Sequence, residues 1–421
     1  MHSARLSAAV LLSVGALILS GCTVESEQAV PTPSADAEVP AAYEGPLSFS
    51  SAELAWLLPD AADLSTLLPG AESFVEPSDF LEVISDGGGA PFSPAICEAF
   101  VYEPTMDAVA ARAVSWTGPT DEPSGRLVAM QYPSENRAQE MFSAFRTAAE
   151  SCGEFDVDGP AVFDQVVDIA DGQVDAVAGV LCAPAEDCGW WSSFVAYGTV
   201  GNAFIVLQHP ATTGDGLDTR AVTELLVETM LSAEERLIGE LTENPPAEEE
   251  EDTPASDASG PWGEWTITPE GIGPIRLGDT VEDALAAVPD VVVSTDIPGE
   301  WALTAEDGAR VVLRSSDGIA VTSVMIGAES LWGDDEVVDG ALLPSVEGIR
   351  VGDALSTAVS AFPQGTFVHL IAPGQNRYVA ADRSGRTVTF SLDPATGTEP
   401  DSRIVGIILG GSDALEMPVF G

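Results

Sequence analysis

Two stretches of the chain, IRLGDTVEDALAAVP (Ile275–Pro289) and IRVGDALSTAVSAFP (Ile349–Pro363), align at an offset of 74 residues with identical Ile, Arg, Gly, Asp, two Ala and Pro. A repeat of this size is one supersecondary unit used twice, so whatever the first copy folds into the second must fold into as well. Each copy continues into strand-like runs. In the first these are VVVSTD, EWALTA, ARVVLRS and IAVTSVMIGA; in the second, TFVHLI, RYVAA, RTVTFSL and RIVGIILGG. Asp307-Gly308 and Asp317-Gly318 supply turn chemistry between them. The expected unit is a short helix plus a four-stranded antiparallel sheet, present as repeat A (residues 262–340) and repeat B (341–421).

The chain begins MHSARLSAAVLLSVGALILSGC, with Arg5 ahead of an apolar run from Leu6 to Leu19. That run is shorter than the roughly 20 residues a membrane span needs and has the size of a signal-peptide core. It ends in Leu19-Ser20-Gly21-Cys22, which resembles the lipobox of bacterial lipoproteins. The resemblance implies a cleaved leader (1–21), a diacylated Cys22, and a lipid anchor on the extracytoplasmic face of the cell membrane. Two or three acyl chains hold stably, at roughly 0.8 kcal/mol per buried methylene. The competing reading is an ordinary secretory leader with a chance cysteine. Residues 22–46, polar and proline-bearing, form the lipidated tether.

Export makes thiols oxidisable, and four cysteines remain beyond Cys22: Cys97, Cys152, Cys182 and Cys188. An even set in an exported chain is a disulfide framework with three possible connectivities. A structural zinc site would group C-x2-4-C pairs with further Cys or His, whereas His209 and His369 lie in separate regions. Five residues separate Cys182 from Cys188, not the two of a C-x-x-C redox centre. No metal and no cofactor are therefore expected.

With 15 Lys+Arg against 68 Asp+Glu, the formal net charge is −53, which opposes nucleic acid and other polyanions. The chain contains no lysine, so Schiff-base, P-loop and Ser-Lys chemistry are excluded. A second polar stretch, ENPPAEEEEDTPASDASG, carries the acid run Glu248–Asp252 and forms an acidic linker (243–261) that self-repulsion extends.

Between the two polar stretches, residues 47–242 read as a folded domain. FSSAELAWLLPDAADLSTLLPG places Ser50 and Glu53 at capping-box spacing. In YPSENRAQEMFSAFRTAAESC, Ser134 is the expected N-cap, and Ala138, Met141, Phe142, Phe145, Ala148, Ala149 and Cys152 share one helical face. RLVAMQY and WWSSFVAYGTVGNAFIVLQH alternate as strands, the latter about Gly201-Asn202, and DTRAVTELLVETMLSAEERLIGEL closes the region as an amphipathic helix. The fold class is α+β, with helices packed on an antiparallel sheet. The order of these elements, AICEAF, and the placement of the cysteines resemble the PknH-like extracellular sensor domain of mycobacterial kinases, also found in free actinobacterial lipoproteins. The resemblance covers roughly Phe49 to Thr242, just under half the chain. It implies consecutive disulfides, Cys97–Cys152 and Cys182–Cys188, a cleft for an extracellular ligand, and no catalysis. The chain-entropy model gives such loops roughly 4 and 2 kcal/mol.

Candidate sites are few. Trp190 and Trp191 point to opposite faces of a strand, one into the core and the other toward a groove. Arg276 and Gly278 before a helix resemble an anion site, but Asp279 is placed to cap that helix with Glu282, and Asp353 is its counterpart in repeat B. SDGGGAPF (Ser85–Phe92) lacks the strand-then-helix setting of a nucleotide loop. Asp156 and Asp158 are half of a calcium loop without its remaining ligands. No G-x-S-x-G and no histidine–nucleophile set occurs, so no catalytic residue is assigned. The expected protein is a non-enzymatic lipoprotein binding an unknown extracellular ligand or envelope protein, with no nucleic-acid partner. The layout of repeats A and B is similar to the tandem repeats of β-lactamase inhibitor protein and of SmpA-type envelope lipoproteins. An inhibitor-like interaction module acting through the repeats and a carboxylate-dependent envelope hydrolase are the alternatives.

Overall fold

Ser134 does what its position predicts. Its side chain accepts from the Arg137 N–H at 3.2 Å and starts a helix, Glu135–Ser151, whose buried residues are Ala138, Met141, Phe142, Phe145, Ala148 and Ala149. The computed structural model describes residues 43–75, 78–83, 92–101, 108–118, 123–157, 159–183, 191–211, 216–246, 260–329, 339–371 and 374–410, which belong to one compact unit. In chain order the first half comprises α1 (Ala61–Leu67), β1 (Phe80–Val83), β2 (Phe92–Ser93), β3 (Ala110–Thr117), β4 (Pro123–Gln131), α2 (Glu135–Ser151), β5 (Glu154–Val157), β6 (Pro160–Asp171), β7 (Val174–Ala183), β8 (Trp191–Val200), β9 (Ala203–Pro210) and α3 (Thr219–Glu243).

Eight of these strands form an antiparallel sheet in the order β2-β5-β6-β7-β8-β9-β4-β3. Helix α2 packs on one face over Val128, Met130, Val177, Leu181, Val195, Tyr197 and Phe204. Helix α3, capped by Asp218, packs on the other over Leu127, Ala129, Phe194, Ala196, Ile205 and Leu207. Alternate residues of each strand thus meet different helices, which is why these strands are apolar on both sides. The Cys97–Cys152 disulfide, with Cα atoms 5.8 Å apart, ties the 3-10 segment Ala95–Val101 to the end of α2. The α+β class and this half of the disulfide framework are as the sequence predicts.

The second half continues with β10 (Ile267–Thr268), β11 (Gly271–Ile272), β12 (Ile275–Arg276), α4 (Val281–Ala286), β13 (Val292–Ser294), β14 (Glu300–Thr304), β15 (Arg310–Arg314), β16 (Ser323–Gly327), α5 (Leu355–Ala361), β17 (Thr366–Leu370), β18 (Gln375–Ala381), β19 (Thr387–Leu392) and β20 (Ile404–Gly410). Strands β10–β12 form a small sheet of their own, and beyond them each repeat supplies one helix and four strands. The two sets join through β16 and β20, where Met325 faces Ile408, the same position of the repeat in each copy. A pseudo-twofold axis passes through that pair. In both copies the loop before the helix pairs with the start of the last strand: Gly278 donates to Val321 O (2.9 Å), and Gly352 to Ile404 O (2.8 Å). Both glycines have positive φ (87° and 97°), which explains their identity in the repeat.

That loop corrects one expectation. Asp279 does not cap α4; its carboxylate accepts from the Arg276 N–H at 3.2 Å, and Asp353 accepts from Arg350 N–H at 2.8 Å. The cap is Thr280, one residue later, which accepts from Asp283 N–H and donates to the Asp283 carboxylate, while Ala354 starts α5 with no side-chain cap. The aspartate closes a turn because the glycine between it and the arginine bends the chain back before the helix can begin.

The two halves are stitched together. Strand β1, from the first half, adds in parallel to β17, pairing Phe80 with Phe367 through Val83 with Leu370, and makes the sheet nine-stranded (β1-β17-β18-β19-β20-β16-β15-β14-β13). Around it Arg112, 8% exposed, donates to Gln364 O at 2.9 Å, and Ala111 N–H donates to Thr366 Oγ1 at 3.1 Å. Gln131 Nε2 donates to Asp382 O at 2.6 Å. Glu53 is held from both sides: one carboxylate oxygen accepts from Ser50 N–H (2.7 Å) and the other from Arg383. Gly385, at φ 79°, sits against Pro133, where a Cβ would lie 2.2 Å from the carbonyl oxygen. A protease site placed within residues 247–259 should therefore yield two fragments that co-elute under native conditions. Adding Arg112→Ala, which strands buried acceptors at a cost of about 2 kcal/mol, should lower the denaturant concentration at which they part. Fragments that separate in plain buffer would show that the stitching is too weak to hold the halves.

Candidate functional site

The nine-stranded sheet has one face on α4, α5 and a core that includes Leu303, Val311, Leu313, Phe390, Ile407 and Leu409. The opposite face presents the alternate residues, and many are polar. On β19 these are Thr387, Thr389 and Ser391, all buried. A charged ladder crosses this face. Arg314 on β15 donates to Glu300 Oε1 on β14 (2.9 Å) and to Glu329 Oε2 (3.0 Å). Arg377 on β18 donates to Glu329 Oε1 (2.6 Å) and Gln375 Oε1 (3.1 Å). Glu329 follows β16 closely, near the pseudo-twofold, and so takes one arginine from each repeat.

Burial pushes the Glu329 carboxyl up, but Arg314 and Arg377 outweigh it and hold the group below its ordinary value. Burial lowers Arg314 as well, and its two carboxylates more than compensate. Arg377 ends lower than usual, because burial exceeds what its single carboxylate, Glu329, returns. The ladder is therefore ionised and internally balanced at neutral pH.

Two atoms are left over. Arg377 Nε and Ser391 Oγ are both buried, and among the described residues neither has a hydrogen-bond partner. They belong to residues that face each other directly in the β18–β19 register. Directly opposed residues have Cα atoms within about 5.5 Å. Ser391 is fully buried, whereas the Arg377 side chain is 21% exposed, so the spot reaches solvent through the arginine. Two unmet donors on neighbouring strands can donate to an oxygen of a carboxylate, carbonyl or water, and leaving them unmet costs about 1–3 kcal/mol each.

The residues singled out by sequence lie elsewhere. Cys22, Cys188 and Trp190 fall outside the described residues, as do Asp158 and most of Ser85–Phe92. Cys182 sits buried on β7 and is disulfide-bonded. The backbone of Trp191 opens β8, opposite Ala183; its side chain is outside the described set. His209 is structural: Nδ1 accepts from Trp116 Nε1–H at 3.1 Å, which leaves Nε2 to donate to Pro69 O at 3.2 Å. His369 Nδ1 lies 2.9 Å from Asn376 Oδ1, its cross-strand neighbour. Asp156 is on β5, opposite Ser93. Among the described residues no group of three His, Cys, Asp or Glu could hold a metal ion, and no helix is long and apolar enough to cross a membrane. Glu234 is a carboxyl raised above its ordinary value, by burial and then by repulsion from Asp171. It lies on α3, in the other half of the chain.

Sequence reading missed the ladder. The signal it offered was the alternation in RTVTFSL, whose Thr387, Thr389 and Ser391 define a polar face, and the arginines inside RYVAA and ARVVLRS. What no pattern supplied was the cross-repeat register that brings Arg314 and Arg377 to one glutamate.

No family model matches the chain, and none of the curated proteins does. Among solved structures it is similar to the extracellular domain of PknH from Mycobacterium tuberculosis, with 13% identity over 45% of this chain and 100% of that one, TM-score 0.31. It is also similar to an uncharacterised protein from Mycobacterium smegmatis, with 16% identity over 45% and 98%, TM-score 0.26.

Because its folded-state value is lowered, Glu329 contributes stability that is present above the ordinary glutamate value and is lost as pH falls through the lowered one. Glu329→Gln should be less stable than the parent at pH 7 and should converge with it on acidification, as followed by urea melts. Parallel stability curves across that range would show that Glu329 titrates alike folded and unfolded.

Proposed function

We propose that the chain is a lipid-anchored envelope protein whose exported part binds a ligand without transforming it, and that the ligand presents an oxygen acceptor to the polar face of the nine-stranded sheet beside Arg377. The observation that carries this reading is the pair of buried, unpartnered donors, Arg377 Nε and Ser391 Oγ, on directly opposed residues. A carboxylate or carbonyl oxygen fits there, and the neighbouring Glu329–Arg314 and Glu329–Arg377 bridges fix the arginine that would receive it. Catalysis finds less support at this face. Glu329 is held ionised by two arginines, the reverse of what a general acid requires. Extracytoplasmic placement is supported by the Cys97–Cys152 disulfide and by the Leu19-Ser20-Gly21-Cys22 sequence. The order of elements supports reading residues 47–242 as a PknH-sensor-like domain, followed by the 243–261 linker and repeats A and B.

Native mass spectrometry of protein released from its own envelope should show an adduct that is absent after unfolding. Ser391→Ala combined with Arg377→Met should lose the adduct, and Ser391→Ala alone should hold or raise the stability of the ligand-free protein. An adduct that survives the double variant would place the ligand elsewhere, and a parent protein free of any adduct would remove the support for a tightly held ligand. The anchor has its own test. Cys22→Ala should appear in the medium or remain as unprocessed precursor, whereas a matured variant that still needs detergent for release would exclude lipidation at Cys22.

A further inference from the structure

The repeat makes the two ends of the nine-stranded sheet equivalent. Strand β13 opens the sheet of repeat A as β17 opens that of repeat B, with Val292 and Thr366 separated by the same 74 residues as the repeat itself. The β17 edge is covered by β1, which runs parallel to it for four residues and buries Leu81 to 3% exposure. The β13 edge has no such cover. β13 pairs with β14 alone and ends the sheet among the described residues. Val292 is 72% exposed, Val293 42% and Ile297 56%, and these are among the most exposed large apolar residues described. An open apolar edge is a template for strand addition, and natural edges are usually blunted by charge or proline.

We propose that β13 is a docking edge for an extended segment of a partner protein, added parallel to Val292–Ser294 as β1 is added to β17. The segment is apolar where it meets Val292 and Val293 and basic at its ends. Its orientation follows from the pseudo-twofold, since the equivalent edge already holds a parallel strand. Its charge follows from Asp290 and Asp296, exposed at either end of β13, and from a chain of net charge −53. The same charge opposes a second copy of this chain as the occupant, because pairing two β13 edges would bring both acid pairs together. The edge is separate from the Arg377–Ser391 spot, so either reading can fail without the other.

The test is selection from a random decapeptide library displayed on phage, using the folded exported chain from Thr23 as bait and its Val292→Lys/Val293→Lys variant as counter-bait. Both substituted positions are exposed, so the variant should fold, as circular dichroism and an unchanged melt would verify. Enriched peptides should carry alternating apolar residues between Arg or Lys. They should slow amide exchange of residues 291–295 and bind the variant at least tenfold more weakly. Asp290→Asn/Asp296→Asn should weaken them about threefold at low salt and not at high salt. Three outcomes overturn the proposal: no peptide enriched over the counter-bait, enriched peptides that protect amides elsewhere, or β13 amides already protected in a dimer of the bait alone. The last would assign the edge to a second copy.

Discussion

The parallel pairing of β1 with β17 is the contact on which the rest of the architecture depends. It joins a four-residue strand of the first half to the second repeat, and side-chain hydrogen bonds cross the junction around it. Arg112 is the clearest case. Burial lowers its pKa, Asp79 and then Tyr378 oppose that lowering, and the guanidinium donates to Gln364 O and Thr366 Oγ1 across the junction. A buried arginine stripped of those acceptors would cost several kcal/mol, so the halves are held in one relative position. Val368 and Val379 of repeat B accordingly belong to the same apolar cluster as helix α2.

The two ends of the nine-stranded sheet show what that pairing contributes. At one end β1 supplies the backbone partners and buries its own Leu81; at the other, Val292 and Val293 remain exposed. The repeat is thus symmetric in fold and asymmetric in surroundings. The asymmetry arises outside the repeat, from the segment Glu72–Val83, which first runs beside β3 through bridges at Thr117 and Ala113 and then crosses to β17.

How much of this could be read beforehand depends on the range of the interaction. Local rules worked where the partner was close in sequence: the Ser134 cap, the α2 face from Ala138 to Ala149, and the strand runs of each repeat appear as expected. Glu53 was half legible. Its bond to Ser50 N–H follows from spacing, while its pairing with Arg383 depends on the junction. Strand β1 gave little sign of itself, since FLEV is short and one of its four residues is a glutamate. Asp279 misled for a local reason: spacing alone does not distinguish an aspartate that caps a helix from one that closes the glycine turn before it. The Arg314–Glu329–Arg377 ladder was illegible because its members meet only through the β16–β20 seam.

That seam also bears on the ligand proposed for the polar face. A ligand pairing with mobile arginines must first order them, at roughly 0.5–1.5 kcal/mol for each side chain immobilised. Here Glu329 has already done so, using one arginine from each repeat, and the strands that carry them are fixed by ladders on both sides. Arg377 Nη2 donates to Glu329 and Gln375 while Nε stays unmet, and the hydroxyl of Ser391, opposite it on β19, has no hydrogen-bond partner among the described residues. A sequence selected only for stability would place alanine or valine at 391 and lose nothing by it. The hydroxyl is explained if an oxygen from outside completes the set, and then the cost of the unmet donors in the free protein becomes part of the discrimination between ligands that carry that oxygen and those that do not.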